Sequence, residues 1–109
     1  MHELSITQSV VDAVCKHALG RPVRSIRLEV GQISGVEVDA MEFCFELVAR
    51  GTAAEGARLE CDQPQGRAYC RGCDFNFATD DLILLCSCGS ADVEITAGRD
   101  LRIISMEVG

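Results

Sequence analysis

The sequence predicts an α+β fold in which a small mixed sheet with two helices is interrupted by an inserted metal-binding module. Three observations favour this class. The hydrophobic patterns follow the order helix, strand, helix, strand, cysteine-rich segment, strand. Four of the seven cysteines are clustered between positions 70 and 88. Residues 101–108 are an apolar-rich strand pattern that needs a partner, and we expect them to return to the first sheet.

The first helix is predicted to run from about residue 5 to residue 19. Apolar residues recur there at helical spacing, and Ser5 with Gln8 fits a capping box at the start. Gly20 is a stop signal at the end. Residues 1–4 are therefore expected to lie outside the helix, as a free or strand-like terminus.

The second helix is predicted to begin at Asp39, which we interpret as its N-cap, and to end at Arg50 and Gly51. Its apolar stripe consists of Met41, Cys44, Phe45 and Val48. Alternation of apolar and polar residues predicts strands at 24–31, 57–62, 93–95 and 101–108.

The charge of the chain limits its partners and its location. A net charge of −7 argues against nucleic acid, because nucleic-acid binders usually present a basic face. The first residues lack the pattern of a signal peptide, and no apolar run approaches the roughly 18 residues of a membrane span. We therefore expect a cytoplasmic protein with no nucleic-acid or membrane partner, whose cysteines stay reduced.

Cys70, Cys73, Cys86 and Cys88 are spaced as ligands of one zinc ion. Two short turns can aim four thiolates at one point, and four thiolates complete the tetrahedral shell of Zn²⁺. Gly72 is expected to give the first turn its conformational freedom. A complete shell has no position for a catalytic water, so we expect structural zinc and no enzyme activity. The alternatives are a redox dithiol at one pair and thiols without a metal.

The second cysteine pair is less regular than the first. A single residue, Ser87, separates Cys86 from Cys88, and an extended chain would point their sulfurs to opposite sides. A sharp turn at Ser87 is therefore required. The other three cysteines are isolated and are interpreted as small buried hydrophobic residues: Cys15, Cys44 and Cys61.

The N-terminus is a candidate site for a second metal. Met1 is expected to be retained, because aminopeptidase removes it only before small residues. The terminus then offers an amine, backbone amides and the His2 imidazole, with Glu3 beyond, a donor set suited to square-planar Ni(II) or Cu(II). The alternative is an ordinary solvated terminus, and we interpret His17 as a solvated histidine in the same way.

Together these residues resemble the HypA/HybF family of hydrogenase nickel-incorporation proteins. The resemblance covers essentially the whole chain. It rests on Met1-His2-Glu3, Glu29-Val30-Gly31, residues 43–52, Ala54-Glu55-Gly56, the cysteine pairs with Cys88-Gly89-Ser90, and residues 98–103. One departure is the single spacer at Ser87, where many members have two.

The resemblance implies a nickel metallochaperone for [NiFe]-hydrogenase maturation, and some members also serve urease. His2 would bind nickel with nearby backbone nitrogens, Glu3 would tune the site, and the four clustered cysteines would hold structural zinc. Asp39 lies where some members place an acidic residue near the nickel. Residues 1–65 and 99–109 would form the nickel-binding domain, and residues 66–98 the zinc-binding domain.

The resemblance also implies partners. These are a HypB-type maturation GTPase and the precursor of the hydrogenase large subunit. The chain itself is expected to be a monomer or a weak homodimer. Two other function classes stay open. A zinc-ribbon module acting on protein or nucleic acid would leave the chelating terminus unexplained. An enzyme with catalytic zinc is disfavoured by the closed set of four cysteines.

Overall fold

A computed structural model describes residues 2–80 and 84–109. The elements are α1 (His2–Ala18), β1 (Val23–Val30), α2 (Val38–Val48), β2 (Arg58–Asp62), β3 (Gly66–Cys70), β4 (Phe75–Thr79), β5 (Val93–Ala97) and β6 (Leu101–Val108). They form two three-stranded sheets, β2-β1-β6 and β4-β3-β5. In the described ranges, no helix combines the length and apolar character needed to cross a membrane.

The chain divides into two compact units. The first contains Met1–Leu28, Glu37–Cys61 and Arg102–Gly109, and the second contains Glu29–Val36 and Asp62–Leu101. Two helices with two small sheets confirm the predicted α+β class.

Helix α1 begins at His2, so the prediction of a helix start near Ser5 is wrong, as is the expectation that residues 2–4 lie outside it. The Ser5 hydroxyl caps no N–H group and instead donates to the His2 carbonyl at 3.1 Å, while the Thr7 hydroxyl donates to the Glu3 carbonyl. Such bonds from Ser and Thr to carbonyls three or four residues earlier are compatible with a helix interior. Gln8, the other half of the predicted capping box, donates its side-chain amide to Asp12.

The core of the first unit lies where α1 packs against α2 and where β1 turns its apolar face inward. Ile26 and Leu28 of β1 are fully buried, which confirms the predicted alternation of this strand. The buried face of α1 consists of Thr7, Val10, Val11, Val14 and Ala18. Thr7 is a polar member of this face, and its bond to the Glu3 carbonyl satisfies its hydroxyl.

Helix α2 has Glu37 as its N-cap residue, so the assignment of that role to Asp39 is wrong. Glu37 has an extended backbone and makes no side-chain capping bond. Asp39 is the second residue of the helix, where the negative charge of its side chain interacts favourably with the positive N-terminal end of the helix dipole. Met41 and Phe45 face the core, as the apolar stripe predicted.

Strand β6 lies beside β1 at the edge of the first sheet, which confirms the predicted return of the C-terminal segment. Gly31 donates to the Asp100 carbonyl at 2.9 Å, and Gly109 donates to the Pro22 carbonyl at 2.8 Å. Because the start of one strand thus meets the end of the other, β1 and β6 are antiparallel.

The second unit is built around β3, which pairs antiparallel with β4 and with β5. Cys70 lies at the end of β3, opposite Phe75 and Val93. The segment that follows β1 joins this unit through the Ile33 N–H, which donates to the Gly98 carbonyl at 2.9 Å. The backbones approach so closely that a Cβ on Gly31 would lie 2.0 Å from the Gly98 carbonyl oxygen.

Candidate metal centre

The four clustered cysteines converge on one point in the second unit. The sulfur atoms of Cys70, Cys73, Cys86 and Cys88 all lie within 4.8 Å of one another. Cys70 and Cys88 are separated by 3.7 Å between sulfurs, and Cys73 and Cys86 by 3.6 Å. A tetrahedron of thiolates at about 2.3 Å from zinc has sulfurs about 3.8 Å apart. The donor set and its spacing therefore fit one zinc ion.

The first pair is positioned by the turn that connects β3 to β4. Cys70 is fully buried at the end of β3, and the Asp74 N–H closes the turn by donating to the Cys70 carbonyl at 2.9 Å. The left-handed residue of this turn is Asp74, with φ of 59°, so the expected role of Gly72 in supplying that conformation is wrong. A Cβ on Gly72 would lie only 3.0 Å from Ser90 Oγ, so the glycine instead leaves room for the Ser90 side chain.

The second pair is turned sharply enough for its two sulfurs to meet. Gly89 has φ of 93°, and its N–H donates to the Cys86 carbonyl at 2.9 Å. The Cys88 N–H points at the Cys86 sulfur at 3.5 Å, and the Cys86 N–H donates to the Ser90 carbonyl at 3.0 Å. The single spacer residue is therefore compatible with chelation, because the chain bends at Ser87 and is not extended there.

The thiols of the cluster differ in acidity. Burial raises the pKa of Cys70, but hydrogen bonds from the Cys73 N–H and the neighbouring thiols outweigh it and lower this pKa to about 7. The hydrogen bond with Cys86 and burial together raise the pKa of Cys73 to about 12. The cluster thus favours a first thiolate at Cys70 and opposes a second at Cys73. A divalent cation offsets the mutual repulsion of four thiolates.

An ion-pair group ties the cluster to its sheet. Arg71 lies between two of the ligand positions and contacts Asp92 at 2.9 Å and Glu94 at 3.4 Å. The Arg71 N–H also donates to the Asp92 carbonyl at 3.0 Å. These contacts connect the turn of the first pair to the β5 side of the sheet. All three side chains are about half exposed, so these ion pairs add little to the stability of the fold and mainly hold the turn in position.

The predicted nickel residues lie in the first turn of α1, in the other unit. His2 is largely exposed, with 60% of its side chain accessible, whereas only 14% of the Glu3 side chain is accessible. His2 Nε2 lies 3.1 Å from Glu3 Oε2. The same oxygen accepts the backbone N–H of Glu37 at 3.4 Å, and this bond is the main cause of the lowered pKa of Glu3. The Met1 amine, expected as a further ligand, lies outside the described residues.

The remaining candidate residues are not part of either group. His17 lies in the last turn of α1, with Nδ1 2.9 Å from the Ala13 carbonyl. Cys15, Cys44 and Cys61 are only partly buried and do not belong to the sulfur cluster. The contact of Glu37 with Glu3 was not predicted, because nothing in the sequence pattern indicates a contact between residues 34 positions apart.

The comparisons with known proteins agree over the whole chain. A family model described as hydrogenase/urease nickel incorporation, metallochaperone, HypA, matches residues 1–108. The hydrogenase maturation factor HypA of Geobacter sulfurreducens is 45% identical over 109 residues, covering 99% of each chain. HypA of a Nostoc species is 41% identical over 108 residues, covering 99% of this chain and 96% of that protein.

A solved structure shares the fold. The solution structure of the Ni metallochaperone HypA from Helicobacter pylori matches with a TM-score of 0.69 at 24% identity, covering 97% of this chain and 96% of that one. The full-length family match and the identities above 40% carry the assignment. The chain belongs to the HypA family of hydrogenase and urease nickel-incorporation metallochaperones.

Proposed function

We propose that this chain binds Ni(II) at its N-terminus, holds a structural zinc ion in the cysteine cluster, and delivers the nickel for [NiFe]-hydrogenase maturation. The observation that carries the proposal is the pair formed by His2 and Glu3. An accessible imidazole lies 3.1 Å from a carboxylate that is itself held by the Glu37 N–H. An exposed nitrogen ligand with an oriented outer partner suits a site that must both bind and release a metal.

The contact at Nε2 assigns roles to the two ring nitrogens. A histidine that chelates a metal together with its own backbone nitrogen uses Nδ1, because that atom closes the smaller ring. Nε2 then carries the proton and donates to a neighbouring acceptor, here Glu3. Such an acceptor fixes the tautomer and the orientation of the ligand. Glu3 therefore acts in the proposal as a tuning residue and His2 as the ligand.

The zinc ion has a structural role in the proposal. It would be held by two turns that are separate in the chain, so it would cross-link them and stabilise a small sheet that has a limited core. Residues 66–98 are the proposed zinc-binding domain, and residues 1–65 and 99–109 the nickel-binding domain. Residues 29–36 cluster with the unit that contains the cysteines.

The proposed partners follow from the family. A HypB-type maturation GTPase takes part in the transfer, and the hydrogenase large-subunit precursor receives the nickel, with urease as a second recipient. The chain acts in the cytoplasm, as a monomer or a weak homodimer. It performs ligand exchange and no bond-making chemistry of its own, in keeping with a family of maturation factors.

The proposal is tested by nickel titration of the zinc-loaded protein beside His2→Ala and His17→Ala. We expect one nickel ion per chain in the wild type and in His17→Ala, and binding at least about tenfold weaker in His2→Ala. His17 is the matched control because it is an exposed histidine of the same helix. Equal nickel binding by all three proteins would exclude His2 as the ligand. Absence of nickel binding by all three would favour the alternative, a zinc-ribbon interaction module without a nickel function.

A further inference from the structure

The outer surface of α2 carries two parallel rows of different chemistry. Phe43 and Leu47 are 67% and 45% exposed, and their spacing of four residues places them side by side along the helix. Asp39, Glu42 and Glu46 are exposed as well, and their spacing of three and four residues makes a second row beside the first. Helix α2 contains no basic residue. We call these five residues the α2 surface.

The acidic row borders a cavity of about 470 Å³. Three glutamates line it, Glu42, Glu46 and Glu55, and they outnumber the one guanidinium there, Arg50. Apolar side chains, among them Leu59, complete the wall. A cavity with an apolar wall and an excess of carboxylates suits the long apolar stem and charged end of a lysine or arginine side chain.

Structural stability does not account for the α2 surface. Helix α2 already packs against the core through Met41 and Phe45, which are almost fully buried. Exposing a phenylalanine gives up the free energy that its burial would contribute, and aromatic residues are enriched where partners bind. A row of apolar side chains with an acidic row beside it is complementary to an amphipathic helix with a basic face.

We propose that the α2 surface docks a basic amphipathic helix of a partner protein. The apolar side chains of that helix would cover Phe43 and Leu47. Its lysine or arginine side chains would meet the acidic row, one of them entering the cavity beside Glu46. The surface contains neither His2 nor any of the clustered cysteines, so this proposal stands or fails separately from nickel binding.

The test uses two labelled synthetic peptides of about 18 residues, longer than the length at which isolated helices are marginal. One contains leucine at positions i, i+3, i+4 and i+7 and lysine elsewhere, and the other has the same composition in scrambled order. Binding is measured by fluorescence anisotropy at about 0.15 M salt. We expect the wild type to bind the amphipathic peptide at least about tenfold more tightly than the scrambled one.

Matched variants then locate the binding site. Phe43→Ser, Leu47→Ser and the double variant Glu42→Lys/Glu46→Lys should each weaken binding of the amphipathic peptide at least about tenfold, the range of interface hot spots. Ile104→Ser is the control for the apolar change, since Ile104 of β6 is 46% exposed, and Glu107→Lys is the control for the charge change. Both controls should stay within about twofold of the wild type. Zinc content and far-UV circular dichroism confirm that each variant is folded.

Three results would overturn the proposal. One is absence of binding to the amphipathic peptide. Another is equal binding of both peptides to the wild type, together with an equal loss of peptide binding in Glu107→Lys and in Glu42→Lys/Glu46→Lys. That result would mean unspecific attraction of basic peptides to an acidic protein. The third is a wild-type dimer in analytical ultracentrifugation that Phe43→Ser converts to a monomer, which would assign the surface to a second copy of this chain.

Discussion

The Glu3 carboxylate accepts a hydrogen bond from the backbone N–H of Glu37, at 3.4 Å and across 34 positions of sequence. This bond joins the first turn of α1 to the N-cap of α2. Because the same oxygen lies 3.1 Å from His2 Nε2, the start of α2 holds the group that orients the proposed nickel ligand. The geometry of the N-terminus thus depends on a contact between two helices as well as on local sequence.

Substitution of Glu3 by Gln should therefore weaken nickel binding. The neutral amide keeps the size of the side chain but is a poorer acceptor for the imidazole N–H. Loss of an outer partner of a metal ligand typically costs 10- to 100-fold in affinity, and for this accessible site we expect about tenfold. Isothermal titration with Ni(II) measures the effect. Glu42→Gln on the exposed side of α2 is the control, and equal affinities for the two variants would contradict the role of Glu3.

Substitution of Cys88 by Ser should remove the zinc. The four sulfurs form one group within 4.8 Å, so removal of one leaves three thiolates and an incomplete shell. We expect less than stoichiometric zinc by elemental analysis and disordered amide resonances for residues 66–98. Cys61→Ser, a partly buried cysteine outside the cluster, should keep one zinc per chain. A Cys88→Ser protein with full zinc and unchanged resonances would show that the turn at Ser87 is no part of the site.

Zinc affinity should depend on pH more steeply below about pH 7 than above it. The pKa of Cys70 is lowered to about 7, so above that pH Cys70 is already a thiolate and zinc displaces no proton from it. Below that pH each zinc ion must displace about one additional proton. Competition with a chromophoric chelator between about pH 6 and pH 8 gives the slope of log affinity against pH. A slope that stays constant through this range would contradict the acidity assigned to Cys70.

Substitution of Gly31 by Ala should destabilise the second unit. A Cβ there would lie 2.0 Å from the Gly98 carbonyl oxygen and 2.8 Å from the Arg99 nitrogen, so two backbone segments would have to separate. Overpacking of this kind costs about 1 to 3 kcal/mol, and we expect about 3 because backbone must move. Urea unfolding followed by circular dichroism measures the loss.

Gly35→Asn is the control for this glycine. Its φ of 82° is left-handed, its Cβ position is open, and asparagine tolerates that conformation. We expect this variant to unfold close to the wild-type midpoint. Equal midpoints for Gly31→Ala and Gly35→Asn would show that the segments near Gly98 separate without cost.

The features predicted from the sequence are those encoded by local patterns. The alternation around Ile26 and Leu28 predicted β1, and the apolar pattern of residues 101–108 predicted the return of β6. The spacing of the cysteines predicted a group that the structure brings together. Family resemblance predicted the full-length match to HypA.

The features that were missed depend on contacts that spacing does not encode. The start of α1 was misplaced because Ser5 bonds to a carbonyl within the helix, whereas a serine at that point in a sequence usually indicates a cap. Strands β3 and β4 were not predicted, because each has only five residues, too few for a clear periodic pattern. The role of Glu37 follows only from the packing of α1 against α2.

X-ray absorption spectroscopy at the nickel and zinc edges tests the central claim most directly. The protein is loaded with one zinc ion and one nickel ion per chain. We expect the zinc spectrum to show four sulfur neighbours at about 2.3 Å, and the nickel spectrum to show only nitrogen or oxygen neighbours with imidazole scattering. Sulfur neighbours around nickel would place the nickel in the cysteine cluster and contradict a separate N-terminal site at His2.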